Sequence, residues 1–144
     1  MQAISTASNI LNHIVATLRD ACEFAEVSQA APDATRTAMP RADVIFDGLE
    51  RRALDDAPDA AWRLAAVVRI SVRNERNDDA TRRALDLADQ AGRALPADRF
   101  RGGLCEDIPG GRATVVAEVS PAKTSRPEAE VRLTVHCHFL EALP

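Results

Sequence analysis

The chain has 144 residues, enough for one domain with a sizeable core. It is 46% hydrophobic and 28% charged, ordinary for a globular protein, with a formal net charge of −4. That mild acidity excludes a broad basic footprint for nucleic acid. No apolar run is long enough for a membrane-spanning helix, and the N-terminus lacks the basic flank and unbroken apolar segment of a signal peptide.

Aromatic residues are scarce, with one tryptophan, four phenylalanines and no tyrosine, so the core must be built from small aliphatic side chains. Lys123 is the only lysine against 17 arginines, and planar, fork-shaped cations suit protein interfaces. Cys22, Cys105 and Cys137 are an odd number without metal-ligand spacing. They read as reduced packing thiols in an intracellular setting.

Residues 4–24 predict an amphipathic helix. Ile4, Ala7, Leu11, Ile14, Leu18 and Cys22 recur at three- and four-residue steps, with Ile10 and Val15 beside them. His13 lies at the edge of that stripe. Residues 24–30 suggest a short strand, and Pro32 to Pro40 a loop. Residues 42–48 predict a strand with Val44 and Phe46 inward. Residues 49–61 are polar and read either as a loop or as an extended hairpin arm. Asp55, Asp56 and Asp59 lack the glycine and terminal glutamate of a calcium loop, so they read as solvated.

The stretch from Trp62 to Arg73 alternates with period two, the signature of a long half-buried strand. Leu64, Ala66, Val68, Ile70 and Val72 share one face, and Arg63, Arg69, Ser71 and Arg73 the other. A helix over Asp79–Leu95 follows, capped by Asn77 or Asp78 and stopped by Pro96. Its stripe is Ala80, Ala84, Leu87, Ala88, Ala91 and Leu95. Asp79–Arg83 and Asp89–Arg93 are acid-then-base pairs at helical spacing. Gly92 weakens its last turn or permits close packing. The glycine pairs in residues 97–112 match no phosphate-binding pattern and read as turns. Residues 113–120 alternate again, with Val115, Ala117 and Val119 opposite Thr114, Val116 and Glu118. Residues 129–140 place Val131, Leu133, Val135, Cys137 and Phe139 opposite Glu130, Arg132, Thr134, His136 and His138. These last two runs suit an antiparallel hairpin. The order α-β-β-β-α-β-β defines an α+β fold: a two-layer sandwich, mostly antiparallel, with both helices on one face.

No catalytic signature appears. His136 and His138 could begin a metal site, but no third ligand is nominated and Cys137 points to the opposite face. No cofactor is implied. The polar face of the sheet is more informative. It gathers Arg63, Arg69, Arg73, Glu118, Glu130, Arg132, His136 and His138, and it leaves Arg63, Arg69 and Arg73 without an internal partner in this reading. Such a face is either simply solvated or meets a neighbouring subunit through complementary charge.

This order of elements resembles the tail-terminator proteins of tailed bacteriophages, in particular the small family of Mu-like contractile-tailed phages. The resemblance runs from Ile4 to Phe139. It is carried by the helix Ile4–Cys22, the strand from Pro40 to Phe46 and the arm Leu49–Ala61. The strand Trp62-Arg63-Leu64 to Val72-Arg73-Asn74, the helix Asp79–Leu95 and the final hairpin complete it. The resemblance implies a non-enzymatic virion protein, assembled in the host cytoplasm into a ring, usually hexameric. Such a ring caps the last disc of the tail tube, halts polymerisation, and presents a surface to the head-side connector. In contractile tails it also touches the sheath, and DNA passes through its lumen. The arm and the loop 121–128 are then the candidate tube or connector contacts, with Glu50, Arg51, Arg52, Asp55, Asp56, Lys123 and Arg126. Alternatives are another neck or head-completion protein, a small α+β metal- or ligand-binding domain using His136 and His138, and a regulatory domain that dimerises through its sheet.

Overall fold

The computed structural model describes residues 2–29, 40–52, 59–73, 77–97, 115–121 and 128–142. In chain order the elements are α1 (Gln2–Ala21), β1 (Glu26–Ser28), β2 (Arg41–Arg52), β3 (Asp59–Arg73), α2 (Asn77–Ala97), β4 (Val115–Pro121) and β5 (Glu128–Ala142). This is the α-β-β-β-α-β-β order that the periodicities predict. The strands form one sheet in the order β1-β2-β3-β5-β4. β1 pairs parallel to β2, and the other three pairings are antiparallel. Among the described residues no helix is long and apolar enough to cross a membrane.

Both helices pack on the sheet face formed by Val44 of β2, Leu64, Ala66, Val68, Ile70 and Val72 of β3, and Val131 to Phe139 of β5. The period of two puts every second residue of these strands into the core. In α2 the buried stripe is Ala80, Ala84, Leu87, Ala88, Ala91 and Leu95, as its spacing predicts. The many alanines let α2 lie close to both α1 and the sheet. Burying apolar surface of this kind stabilises by about 25 cal/mol per Å². Asp89 and Arg93 form the expected ion pair at 2.9 Å. Asp79 lies among residues whose side chains are not described.

Three expectations need correction. In α1 the buried stripe is Ala3, Ala7, Ile10, Ile14, Leu18 and Cys22, with Val15 beside it, and Ile4 is 61% exposed. Ala7, Ile14, Leu18 and Cys22 are buried as expected. The face is turned by about a third of a residue step, so that Ala3 and Ile10 are buried where the spacing predicts Ile4 and Leu11, and Leu11 packs only partly against the core. Pro96 is not the stop, since α2 continues through it to Ala97. Phe46 shares the core face but is 53% exposed. Of the two readings for residues 49–61, the arm is met where the chain is described, since residues 49–52 and 59–61 are strand.

The arm was hard to read because β2 changes phase. A bulge between Phe46 and Gly48 shifts the register by one residue. Before it the even residues face the helices; after it Leu49 does, opposite Leu64, while Gly48 and Glu50 turn outward. Gly48 has a φ of 146°, a conformation that side chains resist. The chain between residues 52 and 59, with Asp55 and Asp56, lies outside the described residues, as do Lys123, Arg126 and the expected turns over 98–112.

Candidate functional site: the charged face of the sheet

The register lines up residues in rows across the face turned away from the helices. One row is Asp43, Arg69, Arg132 and Glu118; the next is Arg41, Ser71, Glu130 and Ser120. On their other side lies a mostly apolar row of Ile45, Val67, Thr134 and Val116. Beyond that come Gly48, Ala65 and His136, then Glu50, Arg63 and His138. Arg73 stands opposite Glu128 at the near end. The topology therefore brings all eight residues of the expected polar face onto one surface, Glu118 by register alone.

That surface is not a set of free charges. Arg41 is 1% exposed, and Asp43 is fully buried. The Arg41 guanidinium donates to both Asp43 carboxylate oxygens, at 2.7 and 3.1 Å. It also pairs with Glu26 at 3.2 Å. The Ser28 hydroxyl donates to Asp43 at 2.7 Å. Arg69 approaches Asp43 at 3.7 Å, too long for a hydrogen bond, and Glu130 at 3.4 Å through an Nε that makes none, so both contacts are ion pairs. Glu130 in turn accepts from Arg132 at 3.1 Å. An alternating chain of three acids and three arginines thus runs from Glu26 on β1 to Arg132 on β5.

This corrects the expectation that the arginine face lacks internal partners. Arg69 is ion-paired to Asp43 and Glu130 within the chain, and Arg63 pairs with Glu50 at 2.5 Å, the two side chains 43% and 64% exposed. The buried pair sits in a low-dielectric setting where charge must be matched. Its hydrogen bond to Asp43 raises the pKa of Arg41, burial opposes that, and the charges of Asp43 and Glu26 raise it further. Arg41 is therefore a permanent cation.

Sequence reasoning missed Glu26, Ser28, Arg41 and Asp43. The available signal was Arg-x-Asp astride Ala42, with Glu-x-Ser astride Val27: charges at strand spacing beside buried residues. A solvated strand gives the same pattern, and only the parallel pairing Glu26↔Arg41 and Ser28↔Asp43 tells them apart. A hollow of about 510 Å³ beside β1 is lined by Arg19, Phe24, Glu26 and Ser28. Its two charged groups are engaged, Arg19 with the Val27 carbonyl at 2.9 Å and Glu26 with Arg41.

His136 and His138 lie on the charged face. His138 is buried opposite Arg63, and His136 is half-buried opposite Ala65. Cys137 points into the core, as alternation requires. Among the described residues no group of three or more His, Cys, Asp or Glu side chains could hold a metal ion. Cys22 and Cys137 are free and buried, and burial pushes the Cys22 thiol above its ordinary pKa.

The geometry defines a two-layer α+β domain with a ladder of ion pairs on one sheet face and, among the described residues, two sheet edges that pair with no further strand along most of their length. No protein-family model matches the chain, and no curated protein sequence matches it. Solved structures do match. A chain of the virion of a native gene transfer agent particle superposes with a TM-score of 0.53 at 12% identity, over 94% of both chains. A chain from the sheath/tube terminator of the PVC extracellular contractile injection system, in its extended state, gives a TM-score of 0.50 at 14% identity. That match covers 92% of this chain and 56% of the other. At such identities the likeness establishes a shared fold. The resemblance to tail terminators drawn from the order of elements is met at that level.

Proposed function

We propose that this chain is a structural virion protein, a tail terminator whose copies form a ring on the end of a tail tube. The observation that carries this reading is the fold, shared along nearly the whole chain with a virion component and with a sheath/tube terminator. In this reading one end of the ring complements the last tube disc. The other end offers no equivalent site, so polymerisation stops there and the head-side connector docks instead. The chain acts by shape and charge and performs no chemistry.

The hairpin arm suits an axial contact. Glu50 and Arg51 are exposed near its end, where binding loops are commonly found. Arg52, Asp55, Asp56, Lys123 and Arg126 complete the proposed tube and connector contacts, with the sheath as a further neighbour in a contractile tail. The ion pairs within the charged face leave little net charge there to attract DNA passing through a lumen.

The test is direct. Native mass measurement and imaging of the purified protein should give a closed ring, of about six copies by the resemblance, with a central hole. Deleting its gene should yield tails of uncontrolled length. A protein that remains monomeric beside tube discs, with tails of normal length in its absence, ends the proposal.

A further inference from the structure

The sheet has two edges, and neither is fully closed among the described residues. β1 covers only Arg41, Ala42 and Asp43 of β2. From Val44 to Arg52 no described strand pairs with β2 on that side. At the opposite end β4 pairs with β5 alone. An open edge presents unpaired backbone N–H and C=O groups and is a template for another strand. β1 itself is guarded, because Arg19 donates to the Val27 carbonyl. The open part of β2 has no such guard among the described residues, and Phe46 lies exposed on it.

We propose that the free edge of β2 in one copy pairs with the β4 edge of the next, joining neighbouring sheets into one continuous sheet. The occupant of each edge is thus a second copy of this chain. The inference rests on the ring reading above and names its subunit contact. Three observations carry it.

The first is strand sense. β2, β3, β5 and β4 are joined by three successive antiparallel pairings, so β2 and β4 run in opposite directions. Copies related by rotation about an axis along the strands bring β4 and β2 together antiparallel, the more stable arrangement. The second is symmetry. In a ring of more than two copies each subunit must use two different surfaces. The two open edges are different surfaces at opposite ends of one sheet.

The third is offset. The middle of β4 is level with Asp43 through Glu118, Arg132 and Arg69. The middle of the open β2 stretch lies between Gly48 and Leu49, opposite Ala65 and Leu64, four to five residues along β3 from Arg69 because the bulge adds a residue to β2. Joining the edges therefore shifts each copy along the strands by about 15 Å at roughly 3.3 Å per residue. A stagger of one sense at every junction is what a closed, tilted barrel of strands requires. The ion-pair ladder bears on the same point: the row from Glu26 to Arg132 is paired within one copy, so these charges already have partners without a neighbour.

Paired cysteines test this. Glu50 and Glu118 both lie on the charged face, on β2 and β4 respectively, and Glu50 is exposed. The double variant Glu50→Cys/Glu118→Cys, oxidised and run without reductant, should give a covalent ladder up to the size of the native assembly. Each single variant should match the wild-type blank, which carries Cys22, Cys105 and Cys137. Hydrogen exchange over residues 45–51 should also slow on assembly. Dimers from Glu50→Cys alone would mean a two-fold β2–β2 contact and overturn the inference. A ring of normal mass with no ladder and unchanged exchange would overturn it while leaving the ring intact. A chain that stays monomeric at every concentration would remove both.

Discussion

Arg41 and Asp43 stand two residues apart on one face of β2, and the guanidinium of the first holds both carboxylate oxygens of the second. Arg41 is among the largest fully buried side chains in the protein. Removing one member strands the other. Asp43→Ala should therefore cost about 3–5 kcal/mol of stability, because Arg41 loses its main counter-charge while still buried. The double change Arg41→Met/Asp43→Leu should cost much less, since both charges leave together. Urea denaturation of the three variants measures this. If Asp43→Ala and the double change cost the same, the pair is not coupled in this way.

Arg69 and Arg63 should respond differently to charge reversal. Arg69→Glu would set a third carboxylate beside Asp43 and Glu130, one of them fully buried. Folding itself should suffer, by more than about 2 kcal/mol. Arg63→Glu breaks a pair whose members are 43% and 64% exposed and should cost at most about 1 kcal/mol. Thermal melts of the two variants decide the matter. Equal, small losses would return Arg69 to the role of a solvated or intersubunit charge.

The contrast shows where the sequence was legible. Period-two runs in Trp62–Arg73 and residues 129–140 gave the sheet's centre, and the alanine stripe gave α2, because each buries one face against a continuous layer. The charge ladder was not legible, because it depends on strand order. Nothing local says that Arg41 neighbours Glu26 or that Asp43 lies opposite Arg69. The phase change at Gly48 was hidden for a similar reason, since a bulge leaves each half of β2 with ordinary alternation.

The first position of the α1 stripe gives a clean check. Ile4 is exposed while Ile10, six residues on, is fully buried. Ile4→Ser should change stability by under about 0.5 kcal/mol, as surface substitutions do. Ile10→Ala should cost about 2–5 kcal/mol through the cavity it leaves. Chemical denaturation of both variants fixes the face of the helix. A large loss from Ile4→Ser would restore the face read from spacing alone.

Cys22 gives a pH dependence with a definite sign. Burial raises its thiol pKa, so the folded chain holds that proton more tightly than the unfolded chain. The stability involved is complete below the ordinary thiol pKa. It drains away as pH rises from there through the raised folded value, because the unfolded chain ionises first. The urea midpoint should fall with rising alkaline pH, and Cys22→Ala should flatten part of that fall. An unchanged slope in the variant would show that the thiol is not the group responsible.

Two glycines should respond to alanine with opposite signs. At Gly48 an added Cβ meets nothing within 4 Å, so space is not the issue. The φ of 146° is, and Gly48→Ala should cost about 1–3 kcal/mol by forcing a strained backbone or erasing the bulge. If the bulge were erased, Leu49 would turn from the core to the charged face, and the loss would reach the upper end of that range. At Gly92 an added Cβ also meets nothing within 4 Å, but the backbone is helical. The close-packing explanation for that glycine therefore fails, and the weakening of the helix remains. Gly92→Ala should stabilise by about 0.5–1 kcal/mol, by restricting the unfolded chain and strengthening the last turns of α2. Thermal melts of the two variants should move in opposite directions from the parent. If both move down, Gly92 has a role that its open surroundings do not reveal; if both move up, β2 does not need its bulge.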